Sequence, residues 1–256
     1  MKVGILGAMP EEINYLESRL KKITTFETGQ RTYMSSTVEG VDVVTVFSRW
    51  GKVSSASTVT TLLDRFKVDF ILFIGLAGAV NPDLNVGDIV IATELMQHDM
   101  DASAVPIFQK FEIPLLNRKS FPVDSKHIAL AKDCAEKFLG NEFKKIISPE
   151  LIDEFHMKHP KVVQGLIASG DQFIADHEKI KHLRKELHGL QCIEMEGGAV
   201  AQVCFEHGVP FSVVRIISDK ADHSAVIDFS KFAAKAASLM SGSIAHDIVQ
   251  KMAKKS

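Results

Sequence analysis

Short apolar runs alternate with stretches of helical periodicity along the whole chain, the pattern of a mostly parallel sheet covered by helices. Val3 to Leu6 reads as a strand, and Pro10-Glu11-Glu12 opens a helix with proline near its first position. Residues 31–38 and 41–47 read as two strands joined at Glu39-Gly40 in a hairpin. Val53 to Phe66 has helical spacing, with Val59, Leu62, Leu63 and Phe66 on one side. Phe70 to Ile74 is continuously apolar, as a strand buried on both faces should be, and runs into a small-residue loop, Gly75-Leu76-Ala77-Gly78. Val86 to Thr93 predicts another strand, entered through Gly87-Asp88.

The middle is less regular. Residues 102–125 carry Pro106, Pro114 and Pro122 and predict a long ordered arm, followed by a helix over Lys126 to Leu139. Residues 140–160 are polar, mixed in charge and without a strong period, which predicts a surface insertion. Core patterns then resume, with strands at Val162 to Ala168, Gln191 to Met195 and Phe211 to Ile217. Helices are predicted over 176–188, Gly198 to His207 and 229–252. The expectation is an α/β fold built as one domain over residues 1–256. It is a three-layer sandwich in which helices flank a twisted, mixed, mostly parallel central sheet.

Composition narrows the function classes. At 256 residues the chain can bury a sizeable core, and 46% hydrophobic with 24% charged residues is ordinary for a globular protein. Lys plus Arg total 30 against 32 Asp plus Glu, a net charge of −2, which gives no support for nucleic-acid binding by phosphate neutralisation. No segment approaches the ~20 apolar residues that span a bilayer, and the N-terminal apolar run is too short for a signal peptide. Cys134, Cys192 and Cys204 form no CxxC pair and are too few for a disulfide framework, so a reducing, cytoplasmic setting is expected.

In sheets of this kind ligands sit outside the carboxyl ends of the strands. The residues that follow the strands are Met9 to Glu12, Arg49-Trp50-Gly51, Gly75 to Gly78, Gly170 to Ile174, Glu194-Met195-Glu196 and Ser218-Asp219. Carboxylates and small residues converge there. No run matches GxxxxGK[ST] or GxGxxG. Glu194 and Glu196 differ by two and would share a face of a strand, where unpaired buried charge is costly. Glu12 has a structural alternative as a first-turn acid complementing the helix dipole, and Asp219 as an N-cap. Arg215 within an apolar strand could form a structural ion pair with Glu12 or Glu196. His98-Asp99 and Asp101 read as loop hydrogen bonding rather than a metal site, and no metal or organic cofactor is expected.

Several segments, in order, resemble the nucleoside phosphorylase and hydrolase superfamily. They are Gly4 to Glu12, Gly75 to Gly78 with Val86 to Val90, Gly170-Asp171-Gln172-Phe173-Ile174, Glu194-Met195-Glu196-Gly197 and Ser218-Asp219-Lys220-Ala221-Asp222. Within it they look most like the 5′-methylthioadenosine/S-adenosylhomocysteine nucleosidases. The resemblance implies a nucleoside phosphorylase-like fold and hydrolysis of a purine N-glycosidic bond. Asp219 would protonate the leaving base at N7 and Glu12 would deprotonate the attacking water. Glu196 would accept hydrogen bonds from the ribose hydroxyls, Ser218 would position Asp219, and Arg215 would lie near the water and ribose. Met9 and Met195 would pack on the sugar, Phe173 on the purine, with the Ile174 backbone reading its edge and Phe229 lining the 5′ subsite. Ala77, Gly78 and Glu194 complete the substrate-binding set. Family members are commonly homodimers, and the apolar arm at 102–114 is expected to cross a subunit boundary.

Three positions depart from the family pattern: Pro10, Leu76 in place of a small hydroxyl residue, and Arg49-Trp50 in place of a small residue followed by an aliphatic one. Arg49 raises phosphorolysis as a competing reaction, since Arg suits bidentate phosphate binding. Two further readings stand beside it: hydrolysis of a related 5′-substituted adenosine or futalosine-type nucleoside, and nucleoside binding without catalysis.

Overall fold

The computed structural model describes residues 1–221 and 225–254. Asp222, the last residue of the fifth resembling segment, lies outside them.

The apolar opening forms β1 (Lys2–Gly7), and proline at N1 starts α1 (Pro10–Glu17). β2 (Lys21–Thr28), β3 (Arg31–Val38) and β4 (Val41–Phe47) form an antiparallel meander. α2 (Lys52–Asp64) leads to β5 (Phe70–Ala79) and β6 (Ile89–Gln97). After the arm come β7 (Ser120–Pro122) and α3 (Ser125–Lys137), which continues through a π-helical turn at Phe138–Glu142 into α4 (Phe143–Ile146) and α5 (Pro149–Glu154). β8 (Val162–Ser169), α6 (His177–Glu186), β9 (Leu190–Glu194), α7 (Gly197–Glu206) and β10 (Phe211–Asp219) follow. α8 (Ala225–Phe232) joins α9 (Ser238–Ala253) through a second π-helical turn, Ala233–Ala237.

The sheet runs β10-β6-β8-β9-β5-β1-β4-β3-β2, with β7 on the edge of β6. β1 is parallel to both β4 and β5, β5 to β10, β6 to β8 and β8 to β9. Because β10 and β9 both also pair with β5, the sheet curls back on itself at that end. Two apolar layers cover its faces. One gathers α1, α3 and α9 against Ile5, Leu72 and Ile216. The other gathers α2 and α7 against Leu6, Phe73 and Val213. This is the sandwich of helices around a mixed sheet that the patterning predicts.

Several boundaries move for identifiable reasons. β5 does not end at Ile74: Gly75 to Ala79 continue the strand, paired with Arg215 to Asp219 on one side and with β9 at Gly78 and Ala79 on the other. β6 begins later than Val86, because Gly87 takes a left-handed φ of +88° and Asp88 closes the turn by accepting the N–H groups of Asn85 and Lys161. The patterning misses β2, whose residues are exposed along nearly all its length, so no apolar alternation marks it. Residues 140–160 carry exposed polar positions, yet Phe143, Ile147 and Met157 are buried in the same layer as α9.

Candidate active site

The carboxyl ends of β1, β5, β8, β9 and β10 open onto one cleft of about 550 Å³. Its walls hold Met9, Glu12, Ala77, Gly78, Phe173, Ile174, Glu194, Met195, Glu196, Ser218, Asp219 and Phe229, so twelve of the thirteen predicted site residues meet there. Arg215 is the exception. Ala8, Trp50, Leu76, Gln172 and Ile193 also line the cleft.

Glu12 caps its own helix and reaches beyond it. Its Oε2 accepts the N–H of Ala8 and, at 3.1 Å, that of Met9, while Oε1 accepts the Leu76 N–H at 2.9 Å. The helix-end role and the site role therefore belong to the same carboxylate. Burial raises its pKa above the usual carboxylate range, against the pull of the Arg215 charge and the three N–H donors. A Cβ at Gly75 would lie 2.4 Å from Glu12 Oε1, which is why a glycine stands inside this strand.

Asp219 ends β10, with Gly78 as its partner across the sheet. Its Oδ1 accepts the Ala221 N–H at 2.8 Å and its Oδ2 accepts the Ser218 hydroxyl at 2.7 Å. A Cβ at Gly78 would come within 3.0 Å of Oδ1. Small residues in Gly75 to Gly78 thus make room for two acids arriving from distant parts of the chain.

The two glutamates of the β9 end do not share a strand face. β9 stops at Glu194, and Glu196 is the residue that precedes α7. Chain reversal, not the two-residue repeat, brings both to the cleft. Glu194 is committed to structure: it takes the Arg215 guanidinium at 2.6 Å, the Ser169 hydroxyl, and the N–H groups of Glu196 and Gly197. Glu196 accepts the Gly51 N–H at 2.7 Å. Burial, followed by the charge of Glu194, pushes Glu196 up to about 8.

Arg215 is fully buried beneath the site. Its ion pair is with Glu194, not with Glu12 or Glu196, and its guanidinium lies 3.9 Å from the Phe73 ring centre. Arg49, the residue that suggests phosphorolysis, turns away: it is exposed and donates to the Gln30 carbonyl at 2.5 Å. Among the described residues the cleft is lined by four carboxylates and no Lys, Arg or His.

The apolar end of the cleft is only partly legible in the sequence. Phe229 packs edge-on against Phe173 at 5.4 Å and against Trp50 at 5.8 Å between ring centres. Trp50 is part of the wall itself, and its position just after a strand is the signal that points to it. Leu76 presents an apolar side chain to the cleft, while its N–H is held by Glu12. Cys134, Cys192 and Cys204 are buried, and burial pushes their thiols up, Cys134 to about 12, which suits none of them to nucleophilic work. Among the described residues no cluster of three or more His, Cys, Asp or Glu side chains is arranged to hold a metal.

A sequence profile of the phosphorylase superfamily matches residues 2–249. A 5′-methylthioadenosine/S-adenosylhomocysteine nucleosidase of Bacillus licheniformis is 36% identical over 237 residues, covering 93% of this chain and 94% of the relative. Among solved structures, the nucleosidase of Neisseria meningitidis in complex with methylthio-immucillin-A superposes with a TM-score of 0.86 at 30% identity, covering 98% of this chain and 99% of the other. A futalosine hydrolase of Helicobacter pylori superposes with a TM-score of 0.83 at 32% identity, covering 98% of each chain.

Proposed function

We propose, from the premise that this chain belongs to the phosphorylase superfamily and to its 5′-methylthioadenosine/S-adenosylhomocysteine nucleosidases, that it hydrolyses the N-glycosidic bond of these two nucleosides to adenine and the 5′-thioribose. Asp219 gives a proton to N7 of adenine as the C1′–N9 bond breaks and its electron pair moves onto the base. Water adds to the oxocarbenium-like C1′, and Glu12 takes its proton. Glu196 accepts hydrogen bonds from the ribose hydroxyls, while Met9 and Met195 pack on the sugar. Phe173 stacks on the purine and the Ile174 backbone reads its edge. Phe229, with Trp50, lines the 5′ subsite. Glu194 and Arg215 act from behind, holding the Glu196 loop. A positioned proton donor contributes typically ~10²–10⁴-fold.

The observation that carries water over phosphate is the lining itself: four carboxylates, no described cation, and Arg49 turned to the Gln30 carbonyl. Among the described lining residues no cation faces the cleft to meet a phosphate dianion, and the one buried beneath it, Arg215, is taken by Glu194. The same groups suit other 5′-substituted adenosines, including a futalosine-type nucleoside. The test is adenine release from a panel of 5′-substituted adenosines, with and without phosphate. Release that is phosphate-independent and strongest with the thioethers is expected, whereas a sugar 1-phosphate or no release counts against the reading.

The chain acts as one domain and as a homodimer in the cytoplasm under this reading. Support for the homodimer comes from the arm, where Val105 is 49% and Ile107 77% exposed, and from Leu115 just beyond it at 88%. Exposed apolar side chains of that kind suit a two-fold interface. Light scattering at micromolar concentration should give twice the chain mass, and a monomer contradicts it.

A further inference from the structure

Three charged residues at the rim of the cleft take no part in the bond cleavage. Lys52, the first residue of α2, lies 2.6 Å from Asp99 Oδ1 and 3.8 Å from Asp171 Oδ2 through its ammonium. Its own backbone N–H donates to Asp171 Oδ1 at 2.8 Å. The ring closes where the Asp171 N–H donates to Asp99 Oδ2 at 2.9 Å. Three separate chain segments, following β4, β6 and β8, are tied together here.

The residue just before Lys52 is Gly51, whose N–H holds Glu196 Oε1 at 2.7 Å. Two successive amides thus point at two carboxylates, Glu196 in the cleft and Asp171 at its rim. Gly51 has a φ of +92°, and a Cβ there would sit 3.1 Å from Asp171 Oδ1, so the turn closes only around a glycine. On one side of the ring Asp171 precedes Gln172 and Phe173 of the wall, and on the other Gly51 follows Trp50 of the wall. Burial alone would raise Asp99, but the Lys52 ammonium and the Asp171 N–H outweigh it and hold the carboxyl below its usual range. Asp99 is thereby a standing partner for Lys52.

We propose that Lys52, Asp99 and Asp171 form a latch that keeps the Gly51 amide on Glu196 and so sets the affinity for the ribose, with Lys52 a positioning residue. The inference rests on Glu196 being the acceptor of the ribose hydroxyls. Without the latch the Trp50–Gly51 turn is free to swing, and Glu196 loses the donor that orients its carboxylate. Catalytic steps at Asp219 and Glu12 lie elsewhere in the cleft and are left intact.

The test compares wild type with Lys52→Met, Asp99→Asn and Lys52→Arg. Loss of a charge-assisted contact should raise KM for 5′-methylthioadenosine about tenfold in Lys52→Met and Asp99→Asn, with kcat within about twofold. Lys52→Arg, which keeps the charge, should restore most of the affinity. Hydrogen exchange at the Gly51 amide should quicken in the first two variants and not in the third. Unchanged KM or unchanged Gly51 exchange in folded Asp99→Asn overturns the latch, as does a fall in kcat at constant KM. Should wild type release no adenine, the reading of the reaction fails. The latch is then decided by Gly51 exchange together with calorimetric binding of 5′-methylthioadenosine, where equal affinity across the variants overturns it.

Discussion

The Glu12 carboxylate accepts the backbone N–H of Leu76 at 2.9 Å, across 64 residues of chain. This one contact fixes the acid of the first helix against the strand that, further along, pairs with Asp219. Position 76 needs only its amide for the purpose, which explains how an apolar side chain can stand there. Position 75 is different, because the carboxylate occupies the space a side chain would take.

Gly75→Ala should therefore displace Glu12. Its Cβ would fall 2.4 Å from Oε1 and 2.7 Å from Cδ, contacts that require the carboxylate to move. Turnover should fall by about 10²-fold or more, in line with loss of a general base. Steady-state kinetics on the purified variant checks this, and near-normal kcat contradicts it.

Asp219→Asn should abolish most turnover while leaving the fold in place. Asparagine keeps an oxygen for the Ala221 N–H and an amide for the Ser218 hydroxyl. It has no proton of suitable acidity for N7. A loss of about 10²–10⁴-fold in kcat with an unchanged melting temperature is expected. Activity close to wild type contradicts the acid role.

The pH dependence has opposite signs for activity and stability. Burial, then the Glu194 charge, pushes Glu196 from its ordinary 4.5 up to about 8. In the proposed role the ionised form of Glu196 accepts the ribose hydroxyls, so kcat/KM should climb with pH up to about 8. In the folded chain Glu196 keeps a proton that the unfolded chain releases above 4.5, so its contribution to stability falls as pH rises from 4.5 to about 8. Urea unfolding across that window should show a shallower decline for Glu196→Gln than for wild type. Identical slopes contradict the assignment.

Arg215→Met should cost more in stability than any change in the cleft wall. It leaves Glu194 buried with no counter-charge at a contact of 2.6 Å. Breaking one partner of a buried pair costs about 3–5 kcal/mol. Chemical unfolding measures it, and a loss under about 1 kcal/mol would show that Glu194 is neutralised in another way.

Much of the fold and site is legible in the residues alone. Apolar runs at Phe70 to Ile74 and Phe211 to Ile217 locate the central strands, and the rule that ligands gather at strand ends locates the acids. The physics that patterning does not carry accounts for the misses. β2 is an exposed edge held by backbone hydrogen bonds, which need no apolar side chains. Gly75 to Gly78 read as a loop because small residues usually mark one. Here they mark two carboxylates pressed against a strand. A two-residue repeat sets Glu196 on a strand, but the strand ends at Glu194. The direction of Arg49 and the partner of Arg215 depend on which residues distant in sequence lie beside them. No local pattern encodes that.

One measurement addresses the central claim, that Glu12 and Asp219 act on a single nucleoside with water as the nucleophile. Wild type, Glu12→Gln and Asp219→Asn are each given 5′-methylthioadenosine in excess phosphate, and the products are read by mass spectrometry. Adenine and free thioribose are expected from wild type, and little of either from the two variants. Thioribose 1-phosphate, intact nucleoside from wild type, or full turnover by either variant contradicts it.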